Sequence, residues 1–276
     1  MTASPITISI VTSVKNGEPY LGEAIESVRR QSYRHWDLLI VDAGSEDGSF
    51  ERAEAAAAED ERIRVERRPG EPLYETLLYG LSKAKGDYLA WLNADDLYPT
   101  WSFASLADFA GRTGAQWITG LPACWDADGA LKFVRARAWH PSPFIRAGAF
   151  QLHGLGFLQQ ESMFFSRALF EKLTQEERQT FASQKLAGDF YLWKTFAHHA
   201  SLITAPTVLG GFRQHGNNLS AGNMDAYMDE VKALGAWTPP PLVGALSRRL
   251  YEVIAAIKTP KAVRQAEGDL SGGPAS

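Results

Sequence analysis

One cysteine, Cys124, in a chain of 276 residues excludes an internal disulfide. No apolar segment approaches the roughly 20 residues needed to cross a bilayer, and no N-terminal stretch has the character of a signal peptide. These absences point to a cytoplasmic setting, with membrane contact at most peripheral. An excess of basic charge is also missing: 28 Lys and Arg stand against 32 Asp and Glu, a formal net charge of −4. Bulk charge therefore draws the chain neither to nucleic acid nor to anionic lipid, and any basic function is local. Cys124 has no sequence neighbour that would activate a thiol and reads as a small packing residue. No internal repeat is present. What the chain does have is 45% hydrophobic residues, ample for the core of one large domain or of a domain with an appendage.

The first hundred residues alternate between two periods. Ile6, Ile8 and Ile10 mark a strand that ends in the polar pair Thr12-Ser13, and Leu21, Ala24, Ile25 and Val28 recur at helical spacing to about Arg30. Trp36 to Val41 is a nearly continuous apolar run ending in Asp42, as expected of a strand covered on both faces. A helix over Phe50 to Glu59, a strand over Ile63 to Glu66, a helix over Leu73 to Lys85 and a strand over Tyr88 to Leu92 follow. Strand and helix alternating through short connections predict an α/β fold with a mostly parallel sheet and right-handed crossovers.

Ligands of such sheets sit beyond the carboxyl ends of the strands. The residues arriving there are Thr12-Ser13, Asp42, Arg67-Arg68 and the stretch Asn93-Ala94-Asp95-Asp96. Hydroxyls, acids and arginines on one edge suit a metal-bound, phosphate-containing ligand. Asp and Asn also end strands and open turns through local hydrogen bonds, and arginines at strand ends are commonly just exposed. Both readings stay open on the residues alone.

Beyond Pro99 the pattern loosens. A helix over Trp101 to Phe109 and a strand over Gln116 to Thr119 precede Asp126-Ala127-Asp128-Gly129, a hairpin turn signal rather than a calcium loop, because the later acidic ligands of such a loop are missing. From Arg135 to Gln160 the chain is rich in Pro, Gly, Arg and aromatics, including Trp139, His140, Phe144, His153 and Phe157. Such a segment lines an acceptor pocket or packs on itself. Ser162 to Phe165 reads as a strand, with helices over Arg167 to Leu173, Gln175 to Gln184 and Phe190 to Ala200. Asp189 before that last, aromatic helix is by local reasoning a cap or macrodipole partner. Leu202 to Leu209 reads as a strand feeding a Gly-rich loop with Arg213, a candidate phosphate contact, and His215, a candidate metal ligand. An isolated loop histidine is more often exposed and idle. From Trp237 a Thr-Pro-Pro-Pro linker leads to Leu242, Leu246, Leu250, Ile254 and Ile257 at helical spacing, with Arg248, Arg249 and Lys258 nearby. Packing on the main domain is the default; a membrane-surface or partner-docking helix is the minority alternative. The tail from Glu267 has the composition of a disordered segment.

Five segments, taken together and in order, resemble the family 2 glycosyltransferases of the Rossmann-like GT-A fold: the polar loop near Ser13 to Asn16, SVRRQSYRHWDLLIVDAGSEDGS at Ser27 to Ser49, AKGDYLAWLNADD at Ala84 to Asp96, AGDFYLW at Ala187 to Trp193, and FRQHGNNLS at Phe212 to Ser220. The likeness covers about the first 220 residues. It implies an inverting transfer of a sugar from a nucleoside diphosphate sugar to a glycan or lipid-linked hydroxyl acceptor, with Mn or Mg as divalent cation, commonly in polysaccharide or glycolipid assembly. On this resemblance Asp95 faces the ribose, Asp96 the metal, Asp42 the base, Asp189 is the general base, and His215 with Arg213 belong to a loop closing over the diphosphate. It also divides the chain into a nucleotide-sugar half at 1–98, an acceptor half at 99–220, a C-terminal helical extension at 221–266 and a tail at 267–276.

Departures from the family pattern fall on donor contacts. Ala43 stands where a second acid often follows Asp42; Arg68-Pro69-Gly70 and Leu78-Tyr79-Gly80 replace an acid-Pro-Asp and an Asn-Lys-Gly; Asn93 replaces the first acid of the Asp-any-Asp motif. Glu71 or Glu75 are candidates to rebuild those contacts. Two other classes compete: a sugar-phosphate nucleotidyltransferase, for which Ser13 to Gly17 is a poor triphosphate loop, and a non-catalytic nucleotide-sugar-binding protein, against which the retained Asp189 argues.

Overall fold

A computed structural model describes residues 4–135, 139–152, 155–216, 218, 222–237 and 241–258, with backbone alone at 241–244, 247 and 256–258. His153, Asn217, Leu219, Ser220 and the tail from Glu267 lie outside the described residues, as do the side chains of Leu242, Ile257 and Lys258.

The first half is a regular alternation: β1 (Ile8–Val14), α1 (Leu21–Arg29), β2 (Trp36–Asp42), α2 (Ser49–Glu59), β3 (Ile63–Arg67), α3 (Leu73–Lys83) and β4 (Tyr88–Trp91). Then come α4 (Ser102–Thr113), β5 (Trp117–Thr119), β6 (Ala123–Trp125), β7 (Leu131–Val134), α5 (Ser142–Arg146), α6 (Ala149–Leu152), a single 3-10 turn at Gln160–Ser162, β8 (Phe164–Ser166), α7 (Arg167–Phe170), α8 (Gln175–Ala182), α9 (Gly188–Phe196), β9 (Ile203–Thr204), β10 (Phe212–Arg213), α10 (Met224–Ala233) and α11 (Pro241–Lys258). The main sheet has the order β3-β2-β1-β4-β8-β5-β9, and only β8 runs antiparallel to its neighbours. A small second sheet, β10-β6-β7, stands beyond it.

Alternation along the strands sorts side chains to two cores. In β4, Leu89 and Trp91 join Leu77, Leu81, Phe181 and Trp193 beneath α3, α8 and α9, while Tyr88 and Ala90 join Leu21, Ile25 and Phe103 beneath α1 and α4. Strands buried on both faces need unbroken apolar runs, which is why β2 and β4 were legible. Helix α8 starts on a reciprocal cap: Thr174 Oγ1 accepts the Glu177 N–H at 3.2 Å and the Glu177 carboxylate accepts the Thr174 N–H at 2.8 Å.

Thr12 and Ser13 close β1 as expected, paired with Ile40 and Val41, with Val14 the last residue of the strand. The strand expected over Leu202 to Leu209 is only Ile203–Thr204. Helix α10, with Asn223 before it and Tyr227 and Val231 facing inward, falls within the helical extension expected over 221–266, though no helix had been placed at those residues. The aromatic segment after Arg135 packs largely on itself and on α11: Trp139 stacks on Tyr251 at 5.6 Å, Phe150 meets the same ring edge-on at 5.7 Å, and His140 Nδ1 lies 3.1 Å from Thr204 Oγ1. Tyr251 thereby seats α11 on the domain, while Leu246 and Val253 of the same helix stay 70% and 59% exposed.

Candidate active site

The end of β4 and the loop after β10 meet to form the centre of the site. An isolated bridge joins Leu97 to Gly211, and Asp96 fastens the two segments. Its Oδ1 accepts the Arg213 backbone N–H at 2.8 Å and its Oδ2 accepts Asn93 Nδ2 at 2.9 Å, with the side chain wholly buried. Burial, with the charges of Glu161 and Asp95 added, raises the Asp96 carboxyl well above the usual range. In this arrangement Asp96 latches the two segments together. Asn93, of unassigned role, is its partner.

Asp95 turns the other way. Its side chain is 29% exposed and its Oδ2 lies 3.0 Å from His215 Nε2 and 3.4 Å from Asn218 Nδ2. His215 is stacked on Tyr20 with ring centroids 4.5 Å apart, and its backbone N–H is held by Asn218 Oδ1 at 2.7 Å. An anionic oxygen and an imidazole nitrogen are thus brought together from residues 120 positions apart. No group of three or more His, Cys, Asp and Glu side chains converges as a closed metal cage among the described residues. A donor pair of one carboxylate and one imidazole suits Mg or Mn, which commonly take one or two protein ligands and complete their shell with phosphate oxygens and water.

Arg213 is enclosed beneath the same loop. Its guanidinium is fully buried, donates to Glu23 Oε2 at 2.7 Å and to the Ala127 carbonyl at 3.4 Å, and lies 4.7 Å over the Tyr20 ring. Those contacts hold the loop. Arg68 is ion-paired with Glu71, the acid offered from sequence as a replacement donor contact, and lies 4.0 Å over the Tyr79 ring.

At the other strand ends the polar groups close their own turns. Asp42 is fully buried, accepts the Gly44 and Ser45 N–H groups at 3.0 and 3.2 Å, and lies 3.3 Å from Arg67 Nε. Ser13 Oγ is 2.5 Å from Thr76 Oγ1 on α3, and Thr12 is buried within β1. The structure thus gathers Asn93, Asp95, Asp96, Arg213 and His215 in one cluster. Thr12, Ser13, Asp42 and Arg68 form the neighbouring edge, where the side chains of Ser13, Asp42 and Arg68 are already hydrogen-bonded or ion-paired.

Asp189 stands in the first turn of α9. It is no cap in the usual sense: Ala187 occupies the cap position, and among the described residues Asp189 Oδ1 accepts the adjacent Phe190 N–H at 2.7 Å and a long 3.5 Å contact from Tyr227 Oη. Burial pushes its carboxyl up to about 6, with Glu230 adding to the rise. The turn is braced from two sides. Tyr74 of α3 donates to the Leu186 carbonyl at 2.8 Å, and its ring lies where a Cβ on Gly188 would be, 2.4 Å from the nearest ring carbon, so only glycine fits there. Glu230 of α10 accepts the backbone N–H groups of Lys185, Leu186 and Ala187 at 2.8, 2.8 and 3.0 Å.

Glu161, Tyr227 and Glu230 were missed from sequence. For Glu161 the signal was an acid directly before the expected strand Ser162 to Phe165, where Asp95 instead follows one; for Tyr227 and Glu230 it was the helical spacing of Met224, Tyr227 and Val231. Cys124 is buried with its thiol pushed up by that burial, as befits packing.

This arrangement, a parallel sheet with acids at its switch point and a braced carboxyl across from them, defines a GT-A-type α/β fold. S. aureus TarS 1-349 in complex with UDP-GlcNAc superposes with a TM-score of 0.63 at 13% identity, over 83% of this chain and 66% of that one. The mannosyltransferase PcManGT from Pyrobaculum calidifontis, in complex with GDP-Man and Mn2+, superposes at 0.59 and 15% identity over 99% and 77%. The chain belongs to glycosyl transferase family 2, whose sequence profile matches residues 9–174. Among curated relatives, the putative glycosyltransferase EpsE of Bacillus subtilis is 37% identical over 92 residues, 33% of each chain. Glycosyltransferase GlyG of Streptococcus pneumoniae is 34% identical over 93 residues, 33% of this chain and 30% of that one. The match thus spans about a third of these relatives' length.

Proposed function

We propose that the protein is an inverting glycosyltransferase that moves a sugar from a nucleoside diphosphate donor to a hydroxyl of a glycan or lipid-linked acceptor, in polysaccharide or glycolipid assembly. The observation that carries this reading is Asp189: a braced carboxyl with its value near 6 and one accepted bond from its own helix. A general base works best with a value near the operating pH. Asp189 takes the acceptor's O–H proton as that oxygen attacks the anomeric carbon; the bond from that carbon to the diphosphate breaks, and the electron pair leaves with the diphosphate. One displacement inverts the configuration.

Asp95 and His215 would hold a divalent cation, Mn or Mg. The bound ion would neutralise charge on the departing diphosphate. Asp96 and Arg213 keep the two segments that carry this pair together, and Asp42 and Ser13 shape the nucleotide edge. The complexes of TarS with UDP-GlcNAc and of PcManGT with GDP-Man and Mn2+ support this reading. No helix among the described residues is long and apolar enough to cross a membrane. A lipid-linked acceptor would be met in the cytoplasm at the inner membrane face, where the exposed Leu246, Leu250 and Val253 of α11, flanked by Arg248 and Arg249, offer a peripheral contact.

A thermal-shift screen of uridine, guanosine and thymidine diphosphate sugars, with and without Mn2+, tests the donor class and the cation together. A cation-dependent shift with one nucleotide is expected; no shift with any donor overturns the reading.

A further inference from the structure

The turn Gln160–Ser162 between α6 and β8 is clamped on every side. Gln160 Nε2 donates to the Trp91 carbonyl at the end of β4 at 2.6 Å, Ser162 Oγ lies 2.8 Å from Thr119 Oγ1 of β5, and Gln159 bonds both the N–H and the carbonyl of Ala123 in β6 at 2.8 and 2.9 Å. A Cβ on Gly210 would lie 2.1 Å from the Glu161 carbonyl oxygen, so the loop backbone presses directly on the turn. The neighbouring side chains of Gln159, Gln160 and Ser162 fix this position, yet one carboxylate oxygen of the residue at its centre has no partner, as is also true of Gln160 Oε1. Glu161 is 7% exposed, and its Oε2 is buried with no hydrogen-bond partner among the described residues; the buried Tyr98 hydroxyl nearby is in the same condition.

Leaving a buried carboxyl oxygen unpaired costs on the order of 1–3 kcal/mol, and nothing in the packing requires an acid there. Its location suggests what completes it. Gln160 ties the turn to the Trp91 carbonyl, four residues before Asp95, and Trp91 stacks at 5.3 Å on Trp193 of α9, whose first turn carries Asp189; the Asp95 and Asp189 charges both act on Glu161. In the transfer proposed above, the sugar ring must lie between the diphosphate end, marked by Asp95, and the base, marked by Asp189. A side chain coupled to both flanks that ring.

We propose that Glu161 is a donor-sugar recognition residue, whose carboxyl hydrogen-bonds a ring hydroxyl of the sugar being transferred. The inference rests on the glycosyltransferase reading and adds to it which residue selects among sugars on a given nucleotide. Gln159, Gln160 and Ser162 are positioning residues for it. The substrate class it fits is a hexose donor with a free hydroxyl on the ring edge facing β8. A site built to hydrogen-bond a hydroxyl rejects an analogue lacking it far more strongly than an apolar pocket would.

The test compares wild type with Glu161→Ala and the isosteric Glu161→Gln on paired donors sharing one nucleotide and differing at one ring position, such as UDP-glucose with UDP-galactose and with UDP-GlcNAc, or the corresponding GDP or dTDP pairs. The readouts are kcat/KM for each donor, and calorimetric affinity for the bare nucleoside diphosphate. The ratio of kcat/KM between paired donors is expected to shrink by ~10-fold or more in Glu161→Ala and by ~3-fold or more in Glu161→Gln, while bare nucleoside diphosphate affinity stays within about twofold. An unchanged ratio with a uniform fall in kcat overturns the proposal and places Glu161 in the chemistry or in tuning Asp189. A parallel loss of nucleoside diphosphate affinity overturns it in favour of the cation side. Should Glu161→Ala not fold, the Glu161→Gln ratio decides alone. If wild type binds no nucleotide sugar at all, the transferase reading fails with it; binding with unchanged discrimination sinks only the role of Glu161.

Discussion

The two sides of the cleft are built on opposite principles. Along the ends of β1 to β3 the polar groups are satisfied: Asp42 closes its own turn, Ser13 bonds Thr76, and Arg68 is paired with Glu71. At the end of β4, before β8 and at the head of α9, three acids are held away from water, and one of them, Glu161, keeps an oxygen with no partner among the described residues. Asp96 is raised well above its ordinary value, Glu161 to about 7 and Asp189 to about 6, desolvation being the first cause in each. A satisfied polar edge is a shape; an unsatisfied one is poised to act on something brought from outside. The sharpest ways to break that comparison act on the unsatisfied side.

The largest effect is expected from Asp189→Asn. The amide keeps the shape but cannot take a proton, so transfer should fall by ~10³-fold, while calorimetric donor affinity stays near wild type. Normal turnover by this variant would remove Asp189 from the mechanism. In wild type the same carboxyl must be ionised to act, so kcat should rise with pH through about 6, and the variant's residual rate should lose that limb.

Arg213→Ala separates a latch from a ligand. Its guanidinium is buried against Glu23, Ala127 and Tyr20, so its removal should cost about 2–4 kcal/mol of stability, read by denaturant melts. An unchanged melt combined with lost nucleoside diphosphate affinity would instead restore the direct phosphate contact that sequence suggested.

The raised acids also set a slope of stability with pH. Each binds its proton more tightly folded than unfolded, so their contribution is complete near pH 4 and is lost as pH rises through the folded values of about 6 and 7. Without divalent cation, the melting temperature should decline between pH 5 and pH 8. Glu161→Gln should flatten that decline, worth on the order of 2–3 kcal/mol at pH 8, and leave pH 5 nearly unchanged. Identical slopes in the two proteins would show that Glu161 is ordinary in the fold.

Much of the fold was legible because β2 and β4 are buried on both faces and had to be written as apolar runs, with helices of clear period between them. Position and resemblance singled out Asp95, Asp96 and Asp189 as candidates. Their division of labour was not legible: sequence order cannot say which of two adjacent acids turns inward, and Asp96 does so only because the Arg213 N–H, 117 residues away, waits there. The same distance in sequence hid the burial of Arg213 under Tyr20 and Glu23. Helix α10 was overlooked because its apolar face is narrow, though Glu230 on it fixes the turn before Asp189.

The smallest expected effect tests the satisfied edge. Arg68 is ion-paired with Glu71, one side chain 35% and the other 27% exposed, and its charge is neutralised three residues away on the same turn. A surface pair of this kind contributes little to stability, and stacking on Tyr79 adds little more. Arg68→Ala should therefore barely move the denaturation midpoint and leave nucleoside diphosphate affinity within about twofold. A tenfold or greater loss of that affinity would mean that the ion pair opens to receive the donor. The edge that looks finished would then share the character of its neighbour.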